Sequence, residues 1–284
     1  MSYTLTTLKT SIQDYTENDE TTFKNNLRNF IRSTENRLFK MIDFEVFRKN
    51  VTSATTSSDR FLAVPTDFFS PFSLSITVSN NLIFLLEKDV NFVQEYNPNP
   101  ATTGIPKYYG RFDVDNFILA PTPNSNYSCE LHYYHRPTSL ADSTIVLTVG
   151  LASSFAIGET ITGSSSGATA TISSKNDSTN KLTIIVPTTA FTNNETITGS
   201  TTSHSSAISA ISSDTTTTWL SKNAINAILY GSLVEAYIFM KGEADVIQMY
   251  EKRFMEEVSR LKDFAEAREN ADAYRQGLPR QRRT

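Results

Sequence analysis

FAIGETITGSSSGATATISS, residues 155–174, returns in altered form as FTNNETITGSTTSHSSAISAISS, residues 191–213. Phe155, Glu159, Ile161 and Gly163 find counterparts 36 residues on, in Phe191, Glu195, Ile197 and Gly199. Further along, Ala168, Ala170 and Ile172 align with Ala207, Ser209 and Ile211, which takes the offset to 39 through a small insertion. Ile and Ala alternate with Thr and Ser in both copies, the two-residue period of half-buried strands. Lys181 to Val186 adds a further β-branched run. Two copies of a three-strand unit would close into a small barrel or sandwich with Phe, Ile, Leu and Val inside.

The repeat lies in a compositional island. From Ala141 to Thr218, 35 of 78 residues are Ser or Thr, with no Arg, Tyr, Trp, Met or Cys among them. The large core formers therefore sit in the flanks. Residues 1–142 and 215–276 are expected to form one aromatic-rich body, 143–214 an inserted Ser/Thr-rich β domain, and 277–284 a flexible basic C-terminal arm.

The flanks alternate between helical and strand periods. Leu5, Leu8, Ile12 and Tyr15 predict a short amphipathic helix over 4–15. Phe23, Leu27, Phe30, Ile31, Leu38 and Met41 predict a longer one, with Asp19 or Thr21 as its N-cap. Phe72–Val78 and Leu82–Leu86 flank Ser79-Asn80-Asn81 as a hairpin. Strands follow at 108–112, 116–119 and 127–135. Trp219–Met240 reads as one buried helix ended by Lys241-Gly242. A last amphipathic helix, about 243–270, carries Ile247, Tyr250, Phe254, Val258, Leu261 and Ala265 on a narrow seam. The fold class is thus α+β: a helical bundle with an antiparallel β-meander, plus an inserted small all-β domain.

Chemistry is sparse. The chain carries 26 Lys and Arg against 30 Asp and Glu, a net charge of −4 that excludes a basic nucleic-acid coat. The single cysteine, Cys129, excludes an internal disulfide and reads as a small buried residue. The N-terminus lacks the basic start and apolar run of a signal peptide. Ala224–Met240 carries Asn226, Ser232 and Glu235 and reads as buried rather than membrane-spanning. His132 and His135, three apart on a strand, point to opposite faces, and His204 has no evident co-ligand. Gly163 and Gly167 precede neither a Lys-Ser/Thr pair nor a helix, so a phosphate loop is not expected. No Gly-x-Ser-x-Gly elbow occurs. No catalytic residue, cofactor or metal is expected, and the hydrolase alternative lacks its residues.

What is left is surface. Arg275, Arg280, Arg282 and Arg283 form a basic tail suited to an acidic partner. Tyr250, Phe254 and Leu261 are candidates for a subunit contact or for core.

Several stretches, in order, resemble the head–tail adaptor (head-completion, or tail tubular A-like) proteins of tailed bacteriophages. They are the helix within FKNNLRNFIRSTENRLFKMIDFEVFRK, the step Val64-Pro65-Thr66-Asp67-Phe68, Gly104-x-Pro106-Lys107-Tyr108-Tyr109, Leu119-Ala120-Pro121-x-Pro123, Tyr133-Tyr134-x-Arg136-Pro137 and Leu229-Tyr230-Gly231-x-Leu233-x-Glu235-Ala236. The resemblance spans about 1–142 and 215–276 and leaves the Ser/Thr module uncovered. It implies a virion protein made in the host cytoplasm and held at the head–tail interface. There it would form a homo-oligomeric ring of about twelve copies. The ring would bind the portal protein and a tail tube, nozzle or tail-completion protein. Genomic DNA would pass through without specific binding, and no membrane is involved. The alternative is a carbohydrate-binding or adhesin-type protein using the Ser/Thr-rich β module.

Overall fold

A computed structural model describes residues 2–42 and 45–275. The chain opens with α1 (Leu5–Thr16) and α2 (Thr21–Met41). A capping box starts α1: Thr4 Oγ1 accepts from the Thr7 N–H, and the Thr7 side chain returns to the Thr4 N–H. Leu5, Leu8 and Ile12 are buried as their spacing predicts, whereas Tyr15 is exposed. Glu20, rather than Asp19 or Thr21, occupies the N-cap of α2 and makes no side-chain cap bond. Asp19 pairs with Lys24 instead, at 3.1 Å.

The protein divides into two compact units, residues 44–137 and the remainder. The first contains β1 (Arg48–Ala54), β2 (Phe61–Ala63), β3 (Phe68–Val78), β4 (Asn81–Glu87), α3 (Val90–Tyr96), β5 (Thr103–Gly104), β6 (Tyr108–Arg111), β7 (Asn116–Ala120), β8 (Thr122–Pro123) and β9 (Ser128–His135). Seven strands form one sheet in the order β1-β9-β3-β4-β6-β7-β2, and β5 pairs with β8. Ser79 and Asn80 both have positive φ (49° and 64°), which gives the hairpin between β3 and β4 a tight two-residue turn. The sheet is not wholly antiparallel as expected. β4 and β6 run parallel, because α3, capped by the Asp89 carboxylate accepting from the Asn91 N–H at 2.8 Å, supplies the crossover between them. Leu74, Ile76, Leu85, Tyr109, Phe117 and Leu131 lie at the centre of this unit's core.

The second unit joins the helices to a closed six-stranded barrel. Its strands are β10 (Thr144–Val149), β11 (Thr160–Gly163), β12 (Thr169–Asn176), β13 (Lys181–Ile185), β14 (Thr196–Gly199) and β15 (Ser205–Ile211). They follow one another round the barrel as β10-β13-β12-β11-β14-β15, each pair antiparallel. β11 and β14 share both the sequence Thr-Ile-Thr-Gly and its alternation of exposed and buried positions.

The offset between the copies stays at 36 throughout, which corrects the inserted register. Ile161 pairs with Ala170, and Ile197 pairs with Ser206. The Ile172 N–H donates to Glu159 O, and the Ile208 N–H to Glu195 O. Ile172 is therefore matched by Ile208, which is fully buried, and not by Ile211. Ala-Ile-Ser-Ala-Ile-Ser repeats every three residues, so a three-residue slip costs almost nothing in sequence similarity, and only burial decides between the registers.

The two copies are related by a local two-fold that passes through the Thr162–Thr198 pair, and they complete one another across it. The Glu159 carboxylate accepts from the N–H groups of Thr201 (3.2 Å) and Thr202 (3.1 Å) and from the Thr202 hydroxyl. The Glu195 carboxylate accepts from the N–H groups of Ser165 (3.2 Å) and Ser166 (3.0 Å) and from both hydroxyls. Each also accepts from a nearby amide of its own copy, Ala156 N–H at 2.7 Å and Thr192 N–H at 2.6 Å. The two carboxylates are 4% and 5% exposed, and their acceptor sites are met by these donors.

Beyond the barrel come α4 (Trp219–Asn223), α5 (Ile225–Phe239) and α6 (Ala244–Arg275). The single helix expected over 219–240 is broken at Ala224 (φ −121°, ψ 38°), where the Asn223 side chain donates back to Trp219 O at 2.9 Å. Lys241 (φ 55°) ends α5. Gly231 lets α5 approach α2 and α6, since a Cβ there would stand 2.4 Å from the Thr34 methyl and 2.9 Å from the Phe254 ring.

Candidate functional site

Several of the stretches that carry the resemblance meet one another within residues 44–137, and what they build is scaffold. Asp67 accepts from the Tyr133 hydroxyl at 2.8 Å and pairs with Lys49 at 2.6 Å, while its carbonyl accepts from the Arg136 N–H. Burial pushes the Asp67 carboxyl up, but Lys49 and Tyr133 outweigh it and hold the group below its ordinary value. Burial, and then Asp67, push the Tyr133 hydroxyl up to about 12. The Gly104 and Pro123 stretches are joined by the β5–β8 pairing.

Phe254 is fully buried, with the Arg37 guanidinium 4.7 Å above its ring. Arg37 also meets Glu251 at 2.7 Å and Glu235 at 3.9 Å, tying α2 to α5 and α6. Tyr250 stacks on Tyr237 with centroids 5.3 Å apart. Leu261 is buried as well. All three candidate contact residues pack inside their own chain. Arg280, Arg282 and Arg283 lie outside the described residues, and of Arg275 only the backbone, at the end of α6, is described.

The polar groups that could carry chemistry are engaged elsewhere. The His135 ring packs edge-on against Phe47 and bonds its carbonyl at 2.8 Å, and His132 lies 3.4 Å from Glu130. The His204 ring meets the Phe155 ring edge-on at 4.9 Å. Burial raises the Cys129 thiol, which makes it a poor nucleophile. Among the described residues no group of three or more His, Cys, Asp or Glu could hold a metal ion, and no helix is long and apolar enough to cross a membrane.

Two features face outward. On β4, alternate residues Ile83 and Leu85 turn toward the core, while Leu82, Phe84 and Leu86 turn away and are exposed, Phe84 to 59%. Between α1 and the barrel lies a cleft of about 250 Å³ lined by Thr6, Lys9, Ile145, Val186, Phe191 and Asp214, among others.

The sequence matches the family described as SU10 adaptor protein over residues 3–154, more than half of the chain. The chain belongs to the SU10 adaptor family. No curated protein matches it. As a member of a phage head–tail adaptor family it is a structural component of the bacteriophage virion, and it interacts with other virion components such as portal and tail. The SU10 adaptor match covers α1, α2 and the whole seven-stranded unit, and runs through β10. A structural role suits an adaptor whose motif residues are committed to packing and internal hydrogen bonds.

Sequence reading missed both outward features of this SU10 adaptor. The run Leu82-Ile83-Phe84-Leu85-Leu86 is apolar at successive positions rather than alternate ones, and that signal distinguishes a strand covered on two faces from one covered on a single face. Lys9 lies four residues after Leu5 and three before Ile12, on the apolar side of α1, and that placement marks it as a buried cation.

Proposed function

We propose that this adaptor assembles as a ring of about twelve copies beneath the portal, continues the DNA channel and recruits the tail. One observation carries the reading: the exposed apolar row Leu82, Phe84 and Leu86 on a strand whose opposite face is already core. An apolar row of this kind marks a surface that is covered in the working assembly. The net charge of −4 supports a channel along which a duplex slides without adhering. In this reading 143–214 is an insertion in a body made of 1–142 and 215–276 that contains a helical bundle. The charged face of α6 and the arm with Arg275, Arg280, Arg282 and Arg283 serve subunit and portal contacts. The carbohydrate-binding alternative has less to stand on, because the two aromatic rings of the barrel, Phe155 and Phe191, are buried in it.

Negative-stain microscopy and sedimentation of the purified protein, alone and with portal, test the assignment. Rings are expected for the wild type. The triple variant Leu82→Ser, Phe84→Ser, Leu86→Ser should keep the far-ultraviolet spectrum and thermal midpoint but sediment as a monomer. Rings of undiminished yield from that variant would remove β4 from the interface.

A further inference from the structure

Lys9 is 6% exposed, yet among the described residues its ammonium reaches only the Pro187 carbonyl, at 3.4 Å. Beside it, the Arg28 guanidinium donates to the carbonyl of the preceding residue, Val186, and its Nε is buried without a partner. Two cations therefore converge on two adjacent backbone carbonyls. Two carboxylates lie nearby, and Asp214, whose donors are neutral groups, keeps its charge. Asp214 accepts from the Thr6 N–H (3.0 Å) and hydroxyl (2.9 Å), and Asp142 pairs with Arg32 at 2.6 Å. Burial and the Arg28 charge draw the Lys9 amine down to about 8, against the pull of Asp214. Lys9 and Arg28 against the one Asp214 carboxylate leave this corner with an excess of positive charge, and the Lys9 ammonium with one acceptor.

The space beside it is selective. Ile145, Val186, Phe191 and Ile211 give the cleft apolar walls, while Thr6, Gln13 and Asp214 supply polar atoms. Its volume, about 250 Å³, lies below the usual range for small-molecule sites, roughly 300–1,000 Å³, and suits one or two side chains. Apolar walls beside the Lys9 ammonium fit a carboxylate on an aliphatic stem better than a fully hydrated inorganic anion. We propose that this cleft takes an acidic side chain, flanked by apolar residues, from a peptide segment of another virion protein, with Lys9 as its counter-ion.

The probe is the tripeptide acetyl-Leu-Glu-Leu-amide, titrated against the full chain while the Lys9 ε-methylene resonances are followed. Acetyl-Leu-Gln-Leu-amide and inorganic phosphate serve as comparisons. Saturable binding of the Glu peptide is expected, with affinity lower by about tenfold for the Gln peptide and for the Lys9→Met variant, whose stem is of similar length. In the wild type, binding should weaken as pH rises past about 8 and Lys9 loses its proton. That arm decides the matter should Lys9→Met fail to fold. Equal affinity for the Glu and Gln peptides, equal affinity of wild type and Lys9→Met, pH-independent binding, or no saturation by about 10 mM would each overturn the proposal. So would complete displacement of the peptide by phosphate at equal concentration, which would mark a plain anion site.

Discussion

Glu195 Oε2 lies 2.6 Å from the point where a Cβ on Gly163 would stand, and Glu159 Oε2 is placed in the same way against Gly199, at 2.5 Å. The glycine that ends each Thr-Ile-Thr-Gly strand is thus the space in which the other copy's carboxylate rests. Gly163→Ala and Gly199→Ala should each lower barrel stability by about 1–3 kcal/mol, since backbone and carboxylate cannot both keep their positions. Thermal melts of the two variants should show similar losses. A neutral result at either site would mean that the carboxylates are free to swing aside.

Acid should open the barrel through the same groups. Burial pushes the Glu195 carboxyl up, but the amides of Ser166, Thr192 and Ser165 and the Ser166 hydroxyl overcome it and bring the group down to about 2. Its value in the unfolded chain is near 4.5. A depressed folded value means stability that is present above 4.5 and lost as pH falls from 4.5 toward 2. Glu195→Gln should cost about 1–3 kcal/mol at pH 7 and flatten the acid limb. Urea midpoints of wild type and variant at pH 7 and pH 3 would check both effects. Parallel acid limbs would assign the sensitivity to other groups.

The left-handed positions of the two copies also correspond. Gly158 and Asn194 match, as do Gly167 (φ 64°) and Ser203 (φ 54°). Ser203 pays a Cβ cost that Gly167 avoids. Ser203→Gly should therefore raise stability by up to about 1 kcal/mol, and Gly167→Ser should lower it by a similar amount. Equilibrium unfolding of the pair, run side by side, gives the comparison. Equal shifts of the same sign would remove backbone strain as the cause.

Gly231 predicts a coupled pair in the helices. Gly231→Ala should be strongly destabilising, and Thr34→Ser, by removing the methyl 2.4 Å from the new Cβ, should restore part of the loss. A double-mutant cycle by thermal denaturation measures this, and strict additivity would show that the Phe254 ring sets the limit instead.

Replacing 144–213 by a short Gly/Ser linker should leave the helices and the seven-stranded sheet folded. The two ends of the module run side by side: the Val146 N–H donates to Ser212 Oγ at 2.8 Å, and the Ser212 N–H donates to Val146 O at 2.9 Å. The deletion uncovers Lys9 and Arg28, so a lowered midpoint with retained cooperativity is the expected signature. Loss of cooperative unfolding would make the barrel an inseparable part of the body.

Truncation after Ala273 should leave the melting temperature unchanged and weaken portal binding in a salt-dependent way, since the arginines removed pair with carboxylates. Undiminished portal affinity at low and moderate salt would assign the arm no role in docking.

The two-residue and helical periods carried most of the architecture, because burial of one face leaves its mark directly in the order of residues. The hairpin at Ser79–Asn80, the Thr-Ile-Thr-Gly strands and α6 were all legible for that reason. Where two arrangements bury similar residues, the order is silent. The Ala-Ile-Ser triplets near Ile208 fit two registers, and Ala224 looks like any helical alanine until the Asn223 side chain competes for the backbone. The crossover helix α3, at seven residues, is too short to show a period. Of the outward features, the β4 row was present in the residues as an apolar run without alternation. The burial of Lys9 was present in its place on the apolar side of α1, but its neighbours Pro187 and Arg28 are distant in the chain, so no local pattern could name them.

Closure of the barrel has a consequence for association. The six strands follow one another in a closed circle, so the module has no end strand, although β12 and β15 each pair with one neighbour along one half of their length and with the other along the rest. The seven-stranded sheet is different: it ends in β1 on one side and in the three-residue β2 on the other. Among the described residues the end strands therefore lie outside the repeat-bearing module, at β1, at β2 and in the β5–β8 pair, and those are the borders along which a sheet would extend from one molecule to the next.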